Sequence, residues 1–244
     1  MDKFCTNISS QKGRESYGRK TMSDFENAYN FEDDEFFYGQ WSEKDWKLYL
    51  EKADLQVSLF LNLFVSSRNI VNHMEHIAVQ MGWMKEGRES FPGNFFRNKN
   101  DPETIHTHPV TTITRGLYHF LSKNWEIYLE SSKMNDIKLC WLYAQLLNNG
   151  ERSALYAISC MNAGDESLAV CHFKNALQIL NFTMEVIQKI PKNTLKINVI
   201  FHDALIVCFD LREVWLKVME SCKNSEENDD DNDDDESDDN DDKL

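Results

Sequence analysis

Apolar residues recur at steps of three and four along most of this chain, the spacing that builds one face of a helix. From about Ser42 to Met81 they are Trp46, Leu50, Ala53, Val57, Phe60, Leu61, Phe64, Val71, Met74 and Met81. Ser42 suits an N-cap, and Glu43 and Asp45 follow in the first turn, where the helix dipole favours acids. A break near Ser66 and Ser67 would divide this stretch into two helices. Residues 84–109 then lose the pattern and carry Gly87, Pro92, Gly93, Pro102 and Pro109, which predicts a long connecting or binding loop.

Beyond Pro109 the helical spacing returns. A helix from about Thr111 to Glu130 carries Ile113, Leu117, Phe120, Leu121, Trp125 and Leu129. The next, from about Asn135 to Leu147, sets Ile137, Cys140, Trp141, Ala144 and Leu147 on one face. Asn149 and Gly150 read as a stop, since both tolerate positive φ. Further helices are expected over Arg152–Met161, over Glu166–Ile190 up to Pro191, and over Thr194 to about Ser221. The last places Ile197, Ile200, Phe201, Ala204, Leu205, Cys208, Leu211, Trp215 and Val218 on its apolar face. The fold class is therefore all-α, a bundle of antiparallel helices over residues 41–221.

The two ends read differently. Residues 1–40 are expected to be a flexible N-terminal segment. Its second half mixes acids with Phe25, Tyr29, Phe31, Phe36, Phe37 and Tyr38, a composition that docks through aromatics, on a partner or on this protein's own core. Residues 222–244 are expected to be an acidic disordered tail. From Ser225 onward the chain has thirteen acids and one Lys, too much repulsion and too little apolar surface to order itself.

That tail changes the meaning of the charge. The chain carries −15, and the last twenty residues supply −12 of it, which leaves −3 on the rest. A near-neutral body has no basic stripe to grip phosphates, so direct sequence-specific nucleic-acid binding is not expected. Apolar residues at 41% supply a core, while nine Gly and four Pro are too few for a protein built of many short strands and turns. The six cysteines show no C-x-x-C spacing and read as reduced thiols of the cytoplasm or nucleus. No apolar leader precedes the body, and no run of about 18 apolar residues predicts a membrane span.

Candidate chemistry is sparse. His73 and His76 could share a helix face and a metal, but a third ligand is not apparent and a polar helix face is the simpler reading. His106 and His108 form an H-x-H pair in a loop rather than at a strand end. Asp-rich spacings from Asp230 to Asp234 lie in the low-complexity tail. No phosphate-binding glycine loop or nucleophile motif is present, so no catalytic residue, metal or cofactor is expected. The aromatics Trp125, Trp141 and Tyr143 on two successive helices are either simple core or the walls of a groove for a partner's helix.

Those helices carry a resemblance. Leu121-Ser122-Lys123-Asn124-Trp125, followed after a short link by Trp141-Leu142-Tyr143-Ala144-Gln145-Leu146-Leu147, resembles the family of the survival-of-motor-neuron-interacting protein, the second Gemin of the SMN complex, with its yeast counterpart in snRNP biogenesis. The last helix from Asn198 to Asp210-Leu211 is also similar, and Gln56 to Val71 more faintly so. The family's Pro-containing N-terminal segment has no counterpart before residue 40. The resemblance implies a non-enzymatic α-helical scaffold that holds Sm proteins and an SMN-like helix during assembly of the spliceosomal Sm core, in cytoplasm and nucleus. Its partner-binding candidates here are Trp125, Trp141, Leu142, Tyr143, Leu146, Phe36 and Phe37. The competing readings are an acidic-tailed chaperone or scaffold for another basic client, such as histones or ribosomal proteins, and a helical enzyme whose site is not recognisable.

Overall fold

The computed structural model describes residues 41–84, 104–131, 136–191 and 194–230, with the side chains of 225–230 left out. Residues 1–41 form a separate unit that, apart from Trp41, lies outside the described residues. The body has six α-helices and no strand among the described residues: α1 (Glu43–Ser67), α2 (His73–Gln80), α3 (Pro109–Ser131), α4 (Ile137–Asn162), α5 (Glu166–Lys189) and α6 (Leu195–Asp230).

Local chemistry sets most of the helix ends. Ser42 and Asp45 form a capping box: the Asp45 N–H donates to Ser42 Oγ (3.4 Å) and the Ser42 N–H to Asp45 Oδ2 (2.9 Å). The Ser42 hydroxyl also donates to Asp45 Oδ2 (2.6 Å), and this bond together with the Ser42 N–H holds the Asp45 carboxyl below its ordinary pKa. The break near Ser67 is present, and Asn72 opens α2 in the left-handed region at φ 56°. A single 3-10 turn over Ile105–Thr107 precedes α3 and is tied to α1 by the Tyr49 hydroxyl, 3.0 Å from Thr107 Oγ1. His108 caps α3 by accepting the Val110 N–H on Nδ1 (3.2 Å), and Pro109 takes the first helical position, where a missing N–H costs nothing.

α3 to α6 form an up-down-up-down bundle in which each helix packs on the next and α6 closes on α3. Paired residues give the directions. Trp125 meets Tyr143 at one end of the α3–α4 pair and Tyr118 meets Gly150 farther along, so these two are antiparallel. Thr114 bonds Trp215 (3.2 Å) and Asn124 reaches the Ile200 carbonyl (3.5 Å), so α3 and α6 are antiparallel too. α1 lies parallel to α3: Asp54 meets Arg115 (3.0 Å), and farther along both helices Phe64 meets Phe120.

Gly150 does not end a helix. α4 runs unbroken through it, and the separate helices expected over 135–147 and 152–161 are one. A Cβ at 150 would overlap the Tyr118 hydroxyl and sit 3.3 Å from Ile179 Cγ2, so the glycine admits close packing of α3 and α5 against α4. α6 likewise passes the expected boundary at residue 222. Cys222 is buried in the core, and the helix continues to Asp230.

The α1–α2 junction is fastened to α6 by a polar seam. Asp203, Asp210 and Lys217, each seven residues apart, face Arg68 (2.9 Å), His73 (3.3 Å) and Glu75 (3.4 Å). The Arg68 guanidinium also covers the Phe120 ring at 4.6 Å.

Candidate partner-binding surface

The proposed groove residues divide between core and surface. Trp125 is 6% exposed and stacks on Tyr128 (ring centroids 5.1 Å), with Tyr143 at 4.4 Å and Phe201 at 6.5 Å. Tyr143 is wholly buried, and burial pushes its phenol pKa well up. These two side chains are core, not groove walls. Leu146 is half-buried against that core. Trp141 and Leu142 are different: Trp141 is 67% exposed and Leu142 also faces solvent. Phe36 and Phe37 lie outside the described residues.

The buried face of α4 is only in part the expected one: Leu147 is buried and Cys140 packs on the core. Ile137, Trp141 and Ala144 point outward, while Tyr143, Leu147, Gly150, Ser153, Ala154, Ala157 and Ile158 point in. The small residues of that second set let α5 approach closely, and they settle which side of an ambiguous helix is inside. What remains outside is an apolar patch at the start of α4, with Ile137 and Trp141 one turn apart and both largely bare.

The candidate pair His73 and His76 is engaged by other side chains of the protein. His73 contacts the Asp210 carboxylate in the seam; that contact raises its pKa, against an opposing push from burial. His76 shares a 2.9 Å hydrogen bond with Gln80. No group of three metal-ligating side chains occurs among the described residues. A cleft of about 380 Å³ between α4 and α5 is lined by Asn149, Arg152, Ser153, Tyr156, His172, Asn175 and Ile179. Its serine and histidine do not form a nucleophile–base pair. Ser153 Oγ donates to the His172 backbone carbonyl (3.1 Å) and accepts from Asn175 Nδ2 (2.9 Å). No helix among the described residues is long and apolar enough to cross a membrane.

A second exposed apolar surface escaped the reading of the sequence. On α6, Leu195, Val199, Ile206, Phe209 and Leu216 are all exposed, although the opposite side of the same helix is the spine of the core. The signal was present as a second set of apolar residues at steps of four, seven and three, set beside the stronger buried set. Comparison with protein-family models, with curated proteins and with solved structures finds no match.

Proposed function

We propose that this chain is a non-enzymatic helical adaptor of spliceosomal snRNP assembly, acting in cytoplasm and nucleus, that holds Sm proteins and an SMN-like helix. The family-like segment supports the assignment of partners, and the observation that carries the binding role is the bare Trp141. A tryptophan beside a still barer isoleucine is the kind of anchor that dominates interfaces. Here it is presented on a hairpin whose own packing is already complete through Trp125 and Tyr143.

The test uses purified Sm proteins and a peptide of the SMN-like helix, titrated against the full chain. Wild type is expected to bind at least one of them, and Trp141→Ala to weaken that binding at least about tenfold with its melting temperature unchanged. No binding of either partner by the wild type, or undiminished binding by Trp141→Ala, would refute the proposal. The acidic C-terminal segment favours a second reading, a scaffold for another basic client such as histones or ribosomal proteins. Binding of those clients in place of Sm proteins, abolished by salt, would select it.

A further inference from the structure

We propose that two copies of this protein associate through the outer face of α6, with the two α6 helices antiparallel. The inner face of α6 is saturated by α3 and α5, where Phe201, Cys208, Leu211 and Trp215 are fully buried. Beside that buried face, α6 carries a further set of exposed apolar residues that the helix's own core contacts leave uncovered. Leu195, Val199, His202, Ile206, Phe209, Glu213 and Leu216 follow one another at alternating steps of four and three, the spacing of a coiled-coil seam. The stripe is bordered by the polar seam, whose Asp203 and Asp210 are held by Arg68 and His73. The turn between those two residues therefore runs beside Ile206, and it carries Ile70 and the 87% exposed Val71, which widen the apolar surface.

The two polar positions point to a second copy: His202 and Glu213, which within one chain lie 4.0 Å from Asp203 and 2.9 Å from Lys217, also meet each other across such a pair. In the antiparallel register that sets Ile206 opposite the second copy's Phe209, Val199 falls opposite Leu216 and His202 opposite Glu213. Two-fold symmetry repeats each pairing. Every apolar position from 199 to 216 then meets an apolar one, and each imidazole meets a carboxylate, over about 26 Å of helix. Only the end layers, Leu195 against Glu220, are mismatched, and they open to water. A parallel pairing sets Glu213 on Glu213 and His202 on His202. Repulsion between like charges selects the antiparallel arrangement.

Because α3 and α5 separate α6 from α4, this surface is distinct from the Trp141 patch, and the two proposals fail separately. Sedimentation equilibrium of the full chain from about 1 to about 100 μM is expected to show a monomer–dimer equilibrium. Trp141→Ala leaves it unchanged, and Phe209→Glu makes the chain monomeric with an unaltered far-UV spectrum. His202→Glu, which faces Glu213 across the seam, raises the dimer Kd at least about tenfold, and adding Glu213→Lys to it restores dimerisation. A wild-type monomer throughout the range, or a dimer indifferent to Phe209→Glu, overturns the proposal. Failure of the charge exchange to restore pairing overturns the antiparallel register. A monomer whose Phe209→Glu variant loses Sm or SMN-like partners assigns the stripe to those partners and overturns it equally.

Discussion

Tryptophans 125 and 141 have the same chemistry and opposite fates, and the difference is measurable. Trp125→Ala empties a site walled by Tyr128, Tyr143 and Phe201, and a loss of about 3–5 kcal/mol in unfolding free energy is expected by denaturant titration. Trp141→Ala removes a ring already in water and is expected to change stability by less than about 0.5 kcal/mol. Two buried phenols give a second contrast. The hydroxyls of Tyr118 and Tyr143 have no hydrogen-bond partner, and an unsatisfied buried hydroxyl costs about 1–3 kcal/mol. Tyr143→Phe is therefore expected to leave the melting temperature unchanged or raise it. Gly150→Ala should lower it, because its methyl displaces the Tyr118 ring. The tyrosine and glycine effects follow from contacts between helices and were not legible in the local pattern of α4.

At the scale of the element, α2 is the short helix whose attachment depends on charge. Asp210, with Glu75 and Glu213 adding to the field, raises the pKa of His73 when the protein is folded. A folded pKa above the unfolded value means the charged imidazole stabilises the native state. That contribution is complete below the unfolded pKa of about 6.5 and disappears as pH rises through the raised folded value. Thermal melts from acid to alkaline pH should show wild type exceeding His73→Gln at the acid end, with the gap closing as pH rises. A gap independent of pH would assign His73 to packing against Phe64 alone. The seam that holds α2 could not be read from the chain, because Asp203, Asp210 and Lys217 gain their partners only when α6 folds beside the α1–α2 junction.

For the molecule as a whole, charge is distributed so that the body and its C-terminal end respond differently to salt. Residues 231–244 hold nine acids and one Lys, following a helix that ends at Asp230. Their removal leaves all of Leu195–Asp230 in place. It is expected to weaken binding of a basic client at low salt and to change little at high salt, where exposed charges are screened. Equal affinity of truncated and full-length chains at low salt would confine the binding energy to the folded body.

Sequence alone determined that this body is helical, and it placed most of the helix boundaries. Periodicity of apolar residues and the signals at helix ends are local: Ser42 with Asp45, Pro109 and Pro191 act within a turn or two of themselves. The break before α2 was legible for the same reason. Only the tertiary structure decided whether Gly150 ends a helix or lets Tyr118 in, since that depends on a side chain of another helix. It also decided which apolar residues face inward. α4 and α6 each carry more apolar positions than one face holds, and periodicity cannot rank two faces of the same helix. Close approach through Gly150, Ser153, Ala154 and Ala157 turned Trp141 outward, and packing of α6 between α3 and α5 left Val199, Ile206, Phe209 and Leu216 in solvent. The surfaces on which both functional proposals rest are therefore products of packing: they are the apolar faces left over once the bundle had chosen its core.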